Sequence, residues 1–391
     1  MSLPACLEAP APQAVFRALP GARAVGGCVR DALAGLPVHD LDMAAPYPPE
    51  EIAGRLHRAG FRVFETGIAH GTVTALLGRD PIEVTALRRD LVTDGRHAEV
   101  AWTTDWHEDA ARRDFTINAM SLDAEGRLHD DHGGVEDLRA GRVRFVGEPA
   151  IRLGEDYLRA LRFFRFQARY GRGAPDGPAI QAIRDAVPGL ARLSAERVWA
   201  EVKRLLEAPD PREALALMAE TGVLPAILPE AGLPERLAPV LDRRDPLLRV
   251  AALLPVGTDL TALAARLRLS GEEAGRLRAL HAIDAVPSSF DAESLRRFAA
   301  RTAVRGRHAT PGEIARIAAA ERPGADLAPL FELDAGPEFP LLGRDAVALG
   351  VPPGPRLGAL LHAAREWWVE HGGDREACLR KLRELAEAPP G

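Results

Sequence analysis

The segment Gly26-Gly27-Cys28-Val29-Arg30-Asp31 is followed nine residues later by Asp40-Leu41-Asp42. Glycines leave room for backbone N–H groups to approach a phosphate, and Arg30 places a positive charge beside them. Residues i and i+2 of a strand point to the same face, so Asp40 and Asp42 can bind one cluster of divalent cations together. Together these features indicate a metal-dependent site for nucleotidyl transfer.

A third carboxylate is expected near this aspartate pair. Phosphoryl chemistry depends on charge neutralisation and in-line positioning, which two Mg²⁺ ions held by carboxylates can supply. Asp40 and Asp42 are the predicted metal ligands and catalytic residues. Glu83 is the best candidate for the additional catalytic carboxylate, because it is a lone acid in the apolar segment Ile82-Glu83-Val84-Thr85. The alternative is that Glu83 merely faces solvent at a sheet edge.

A second motif is rich in arginine: Arg112-Arg113-Asp114-Phe115-Thr116-Ile117-Asn118-Ala119-Met120. Adjacent arginines suit polyanions, because each guanidinium can bond phosphate oxygens. We expect Asp114 to hold an arginine in position through a buried ion pair, and Asn118 to contact a sugar hydroxyl. The alternative is a helix start, with Asp114 as its N-cap and the arginines exposed.

A third motif begins at Glu155 and repeats polar residues every three positions: Asp156, Arg159, Arg162 and Arg165. On the helix expected over 156–169, this spacing makes a slowly drifting stripe. Asp156 accepts hydrogen bonds and Arg159 donates them, so the pair can imitate a Watson–Crick edge and match cytosine. The alternative is a surface salt bridge between the two, worth about 0.2–0.5 kcal/mol.

Composition limits the class of protein. The 391 residues, 47% hydrophobic and 27% charged, predict a soluble chain of roughly two to four domains. A net charge of −6 opposes general coating of nucleic acid but allows a local basic surface. Three widely spaced cysteines give neither a disulfide framework nor a zinc site. With no signal peptide and no apolar stretch of about 18 residues, we expect a cytoplasmic protein without a membrane partner.

The pattern of apolar residues changes near residue 150. Before it, strands alternate with helices, and the strands are expected at 22–29, 40–44, 61–64, 72–77 and 82–87. The polar, turn-rich stretch 88–100 is expected to be a loop. After it, apolar residues recur at helical spacing. We therefore predict an α+β fold with three parts: a catalytic head at 1–148, a helical neck at 149–208, and a helical body and tail at 209–391.

In this order, the three motifs closely resemble those of the class II tRNA nucleotidyltransferases, a family that includes bacterial poly(A) polymerases and belongs to the polymerase β-like nucleotidyltransferase superfamily. The resemblance spans about residues 20–210 and includes Gly71-Thr72-Val73 and the segment from Asp131 to Leu138. It implies a head built on a mixed sheet, followed by an all-helical neck, body and tail. It also implies Mg²⁺ on Asp40 and Asp42.

The resemblance further implies how substrates are held. Asp156 and Arg159 in the neck would select CTP and ATP, and the body and tail would grip tRNA by shape and backbone. The residues placed around the nucleotide are Gly26, Gly27, Arg30, Arg113, Asn118, Asp156, Arg159, Arg162 and Arg165. The expected activity is template-independent addition of C and A to the tRNA 3′ end, with release of pyrophosphate.

Alternatives remain open at the level of sequence. In the family, a flexible loop before the arginine motif helps the switch from CTP to ATP. The corresponding stretch, Arg88 to His97, keeps Asp94-Gly95-Arg96-His97 but is slightly short. Addition of only CC or only A is therefore an alternative, as is poly(A) synthesis, although a strongly basic C-terminal extension is missing. A non-catalytic RNA-binding protein is the alternative from another class, and the mutual repulsion of Asp40 and Asp42 opposes it. The oligomeric state, monomer or homodimer, is left open.

Overall fold

The computed structural model describes all residues except 1–3, 39, 66, 69–70, 79, 94–97, 305–307, 335 and 389–391. The chain divides into two compact units, Met1–Pro229 and Glu230–Gly391. All strands of the described residues lie in the first unit, and the second unit is helical. This arrangement confirms the predicted α+β class, with a sheet-containing head followed by helices.

The described strands are β1 Arg23–Val25, β2 Asp42–Ala45, β3 Arg62–Phe64, β4 Thr72–Leu77, β5 Asp80–Ala86, β6 Arg88–Thr93, β7 Ala98–Trp102, β8 Ser121–Leu122 and β9 Leu128–His129. Seven of them form one sheet in the order β3-β4-β5-β2-β1-β8-β9. β2 pairs with β5 in parallel, whereas the other neighbours are antiparallel. The sheet is therefore mixed, as the sequence predicted.

The first unit contains helices α1 Ala5–Glu8, α2 Pro10–Ala18, α3 Gly27–Leu33, α4 Pro49–Arg58, α5 Trp106–Ala111, α6 Gly134–Ala140, α7 Pro149–Glu155, α8 Leu158–Tyr170, α9 Gly177–Ala186, α10 Ala195–Leu206, α11 Arg212–Glu220 and α12 Val223–Ile227. The second unit contains α13 Pro246–Leu253, α14 Leu260–Leu267, α15 Gly271–Leu280, α16 Ala292–Val304, α17 Pro311–Glu321, α18 Gly343–Ala348, α19 Pro355–His371 and α20 Arg375–Glu387. None of the helices in the described ranges is long and apolar enough to cross a bilayer.

One face of the sheet is buried, and the other is covered only in part, where Val25, Ala44 and Leu87 pack with Trp106. Met43, Val73 and Val84 are fully buried and pack with apolar side chains of α2 and α4. Because side chains alternate along a strand, the residues between these positions point away from the core. The uncovered part of that second face, the open face of the sheet, is therefore available for a functional site.

Two expectations about the head require correction. The expected strand 22–29 ends at Val25, because Gly26 adopts a left-handed φ of 68° and α3 begins at Gly27. The expected loop 88–100 is wrong, since β6 and β7 pair antiparallel with Arg88 opposite Trp102. In sequence, an Asp-Gly pair after the β-branched residues Val92 and Thr93 is a hairpin signal as well as a loop signal, and the polarity of the stretch favoured the loop interpretation. Residues 94–97, which carry the Asp-Gly-Arg-His sequence, lie outside the described residues.

Candidate active site

Two carboxylates lie side by side on the open face of the sheet. Asp42 opens β2, and its direct partner in the parallel pairing with β5 is Glu83. The next pair in register, Met43 with Val84, is fully buried. Alternation therefore places Asp42 and Glu83 together on the solvent side. Since β5 lies between β4 and β2, Glu83 is not at a sheet edge, and that alternative is wrong.

The expected strand 40–44 begins only at Asp42, so Asp40 lies exposed just before β2 and not on the same strand as Asp42, and it adds a third negative charge. Burial, together with the neighbouring charges of Glu83 and Asp40, raises the pKa of Asp42, while Arg113 acts in the opposite direction. The negative charges of these three carboxylates therefore repel one another, and a divalent cation would relieve this repulsion.

The oxygen donors of this cluster fit Mg²⁺. Within the described ranges, no group of three or more His, Cys, Asp or Glu side chains is placed to hold a metal ion. Mg²⁺ does not need such a group, because it is commonly bound by one or two carboxylates together with substrate phosphates and water. Asp42, with Asp40 just before β2, could supply these carboxylates.

The glycine turn and Arg113 meet beside this cluster. A Cβ on Gly26 would lie 3.2 Å from the Arg113 Nη1 atom, so a side chain at this position would crowd the guanidinium. The positive φ of Gly26 also favours glycine. The sequence thus allows a guanidinium to lie against the backbone next to the carboxylates.

Arg112 and Arg113 are both held by Asp109, which the sequence analysis did not single out. The Asp109 carboxylate is 2% exposed and accepts from Arg112 at 2.7 and 2.9 Å and from Arg113 at 3.0 and 3.3 Å. Burial pushes the pKa of Asp109 upward, but the two guanidinium groups lower it more, so it lies below its usual value. The spacing of Asp109 three and four residues before the arginines was the available signal.

Arg30 is buried rather than freely available. Its guanidinium is held by Asp31 at 2.9 Å and by the Asn118 side-chain oxygen at 2.5 Å. It also lies over two rings of α8, 5.0 Å from the centroid of Phe166 and 4.6 Å from that of Tyr170. The Tyr170 hydroxyl donates to Asp31 at 2.5 Å. Helix α3 is therefore connected to α8 through polar and cation–π contacts.

The expected buried ion pair of Asp114 is confirmed, and its partner is Arg162. The Asp114 carboxylate is 8% exposed and accepts from Arg162 at 2.5 and 2.7 Å. Its other oxygen accepts from the Asn118 amide at 2.9 Å. Both ends of Asn118 are thus occupied, by Asp114 and by Arg30. The alternative of exposed arginines with a helix N-cap at Asp114 is wrong.

Asp156 and Arg159 do not pair with each other. Asp156 has an extended backbone, with φ −157° and ψ 108°, so the helix expected over 156–169 begins instead at Leu158. Its carboxylate accepts from Arg197 at 2.6 Å. Arg159 pairs with Glu155 and donates to the carbonyl oxygens of Arg152 and Arg112 at 2.9 and 3.3 Å.

Arg165 lies against a buried carboxylate of α10. Glu201 is 4% exposed and lies 3.3 Å from the Arg165 Nε atom, 3.7 Å from Arg204 and 4.0 Å from Arg162. Burial lowers the pKa of Arg165 to about 10. The Arg165 guanidinium also lies 4.6 Å from the Phe166 ring centroid. Glu201 thus forms ion pairs with two arginines of α8 and one of α10.

Comparison with known proteins identifies the family. A family model described as the poly A polymerase head domain matches residues 22–144, and one described as a probable RNA- and SrmB-binding site of polymerase A matches residues 178–232. Over 366 residues the chain is 37% identical to CCA tRNA nucleotidyltransferase 1, mitochondrial, of Mus musculus, covering 90% of this chain and 83% of the relative. The chain belongs to the CCA tRNA nucleotidyltransferase family.

Two further similarities concern bacterial members of this family. The chain is 41% identical over 202 residues to a CCA-adding enzyme of Streptococcus gordonii, covering 51% of this chain and 49% of that one. The crystal structure of the Bacillus stearothermophilus CCA-adding enzyme in complex with CTP superimposes with a TM-score of 0.75 at 27% identity and covers 99% of both chains. The family resemblance and the nucleotidyltransferase class expected from the motifs are confirmed, and a non-catalytic RNA-binding protein is set aside.

In this nucleotidyltransferase, the structure assembles the residues into two neighbouring groups. The carboxylates, the glycine turn and Arg113 form one group on the sheet, and the charged residues of α8 with their partners form the other. The supporting residues that the motif analysis did not assign to the site are Asp31, Asp109, Phe166, Tyr170, Arg197 and Glu201. Arg197 and Glu201 lie in a segment that also resembles the family, and Asp109 is spaced to meet the arginines, but the partners of Arg197, Glu201 and Tyr170 are set by the fold.

Proposed function

We propose that this chain adds C and A to the 3′ end of tRNA without a nucleic-acid template, using CTP and ATP and releasing pyrophosphate. The observation that carries the proposal is the in-register pair Asp42 and Glu83, with Arg113 and the Gly26 turn beside it. Carboxylates next to a guanidinium and a glycine turn suit a nucleoside triphosphate and the hydroxyl that attacks it.

Asp40 and Asp42 would hold Mg²⁺, and Glu83 would be the third carboxylate of the centre. Bound there, the metal supplies charge neutralisation on the phosphates and lowers the pKa of the attacking hydroxyl. The protein contributes position: Asp42 and Glu83 are fixed by neighbouring strands, and Asp109 holds Arg113 against the glycine turn. A rigid arrangement of this kind requires little reorganisation during the reaction.

The triphosphate and sugar would lie against the glycine turn of Gly26 and Gly27, with Arg113 as the phosphate-binding guanidinium. Arg30 and Asn118 support this region from beneath, because both are less than 10% exposed and bond to each other. Arg30 would add positive potential, and Asn118 would keep it oriented. To contact a sugar hydroxyl, the Asn118 side chain would have to give up its hydrogen bond to Arg30 or to Asp114.

Base selection would fall to Asp156 and Arg159, with Arg162 and Arg165 near the nucleotide. Arg197 and Glu155 hold the first two side chains, so their hydrogen-bonding atoms are oriented before the base arrives. Head 1–148, neck 149–208, and body with tail 209–391 remain the proposed division of labour. In it, the neck selects the base and the body and tail bind tRNA.

The proposal also includes the cellular compartment and the exact reaction product. We place the activity in the cytoplasm, as composition suggested, although the mouse relative is described as mitochondrial. CC-only, A-only and poly(A) synthesis are the competing outcomes. They differ in product and not in the chemistry of the carboxylates, so only the product of the reaction separates them.

The substitution Asp42→Asn tests the metal assignment. Transfer should fall by more than about 100-fold, because even outer-shell partners of a metal are worth 10–100-fold. Binding of a tRNA transcript should stay within about twofold, since the change leaves the RNA surface intact. Nucleotide incorporation and filter binding measure the two quantities.

The control is Glu50→Gln, an exposed carboxylate on α4, which packs on the opposite face of the sheet. Surviving transfer with collapsed tRNA affinity would show that Asp42 is not a metal ligand.

A further inference from the structure

A row of side chains runs across the open face of the sheet, starting at the catalytic carboxylates. Asp42 is in register with Glu83, Glu83 with Thr74, and Thr74 with Phe64. Register partners share a face of the sheet, and the residue next to each of them along its strand, Met43, Val84, Val73 or Val63, packs in the core on the opposite face. The row therefore leads from the reaction centre to the aromatic ring of Phe64.

The far end of this row is an exposed aromatic ring with an arginine over it. Phe64 is 37% exposed, although large apolar side chains are usually buried. Arg62, two residues earlier on the same strand, is also exposed, and its guanidinium carbon lies 4.9 Å from the Phe64 ring centroid. An exposed ring beside a guanidinium is the combination with which proteins stack single-stranded nucleic acid.

The order of the strands tells which reactant reaches this end of the row. Gly26 follows β1, and Arg113 lies against it, so the phosphates of the nucleotide lie on the β1 side of Asp42. The attacking and leaving oxygens of a phosphoryl transfer are roughly in line. Pyrophosphate leaving toward β1 therefore requires the attacking hydroxyl to come from the other side of Asp42. That side consists of β5, β4 and β3.

We propose that β4 and β3 form the binding track for the single-stranded 3′ end of the acceptor RNA. In it, the Phe64 ring stacks on a base just upstream of the terminal nucleotide, and Arg62 faces the backbone phosphates. This inference rests on the proposed function. Three strand spacings separate Phe64 from Asp42, about 14 Å, so Phe64 reaches a base before the terminal one. β3 is the outermost strand, which lets the RNA leave the sheet at that edge.

The test uses the full-length protein and steady-state extension of a tRNA transcript at saturating CTP. Phe64→Ile keeps an apolar, strand-forming side chain but removes the ring. We expect it to raise the KM for the transcript about tenfold, the size of one lost base–ring stack. The KM for CTP should be unchanged. Phe64→Tyr should restore the wild-type values, and Arg62→Gln should raise the transcript KM and weaken its salt dependence.

A second readout reports stacking directly. 2-Aminopurine is placed in turn at the second and third positions from the 3′ end of the transcript, and its fluorescence is measured on binding. The wild type should quench one of the two positions, and Phe64→Ile should lose that quenching. The control is Arg58→Gln, because Arg58 is exposed on α4, which packs on the opposite face of the sheet. This variant should match the wild type.

The outcomes separate the two claims. A wild type that extends no tRNA transcript refutes the proposed function. A wild type that extends the transcript, with Phe64→Ile identical to it in both readouts, refutes the acceptor track alone. Near-ultraviolet and far-ultraviolet circular dichroism of each variant shows whether it keeps the wild-type fold.

Discussion

The residues around the candidate site form a set of fixed positive charges. Asp109, Asp114 and Glu201 are each less than 9% exposed, and each binds at least one arginine of the site. Buried carboxylates restrict the rotamers of these long side chains before any substrate binds, so less conformational entropy is lost on binding. A phosphate or a base thus meets guanidinium groups already in position.

The substitution Arg159→Ala should reduce the selectivity among nucleotides more than it reduces the rate of nucleotide transfer. Arg159 is held by Glu155 and by two backbone carbonyls, and we propose that it reads the base and does not bind the metal. We expect the preference for CTP and ATP over GTP and UTP to fall about tenfold or more, the value of one well-placed hydrogen-bonding pair. Competition between the four nucleotides on one tRNA transcript measures it.

The matched control is Arg169→Ala, an exposed arginine on the same helix. It should leave the nucleotide preference unchanged. An Arg159→Ala variant with wild-type preference would rule out a role for this residue in reading the base.

Sequence reasoning found the motif residues but rarely their partners. That Asp114 would hold an arginine followed from its position beside two arginines, yet the arginine it holds is Arg162, 48 residues later. Asp156 and Arg159 fit a helix stripe, but Asp156 adopts an extended backbone and binds Arg197. Spacing along one helix predicts neighbours within that helix, whereas these pairs arise from the packing of separate elements.

At the scale of elements, helix α8 is fixed to the head at two points. Arg162 pairs with Asp114, and Tyr170 donates to Asp31 of α3. Between these points, Phe163 and Phe166 pack against Phe115 of the head, with ring centroids 6.3 and 5.2 Å away. The helix that carries Arg159 is therefore joined to the head by both polar and aromatic contacts.

The substitution Asp114→Asn should weaken the contact between α8 and the head. It should also reduce the pH dependence of the free energy of unfolding. Burial raises the pKa of Asp114, but Arg162 and Asn118 lower it more, so the folded value lies below the unfolded one. The stabilisation is therefore present above about pH 4 and lost as pH falls through the folded pKa. At pH 7 we expect a loss of about 3 kcal/mol, because a mostly buried Arg162 is left without its carboxylate. Urea unfolding at pH 7 and at pH 3 measures both effects.

A double-mutant cycle provides the control for this prediction. Arg162→Met should also destabilise the protein at pH 7, and Asp114→Asn with Arg162→Met should cost clearly less than the sum. Asp284→Asn, an exposed carboxylate of the second unit, should be neutral. Additive losses for the pair would mean that the ion pair contributes nothing to the contact between α8 and the head.

Strands were predicted well wherever their side chains alternate. Four strands, β2, β3, β4 and β5, lie close to their expected bounds. In each of them alternate side chains face the core, and this period of two is visible in the sequence. The errors arose where backbone conformation decides the outcome. Gly26 turns the chain before the expected end of β1, and the polar residues from Arg88 onward form a strand pair whose alternation is weak.

At the scale of the whole molecule, the candidate site residues all lie within Met1–Pro229. The first family model matches the head and the second matches residues 178–232, whereas the mouse relative matches along 90% of the chain. The helical nature of the second half was predictable from its 3.6-residue periodicity. Its role was not, since no motif in it carries recognisable chemistry, and tRNA binding by shape needs none.

The central claim is full CCA addition, and the product of the purified protein tests it most directly. Three tRNA transcripts, ending before CCA, after C and after CC, are incubated with Mg²⁺ and with CTP, ATP or both. The products are resolved at single-nucleotide length. We predict that the shortest transcript grows stepwise by C, C and A and then stops. Growth that halts at CC, a single A added only to the CC-ended transcript, or long A tails would contradict this account.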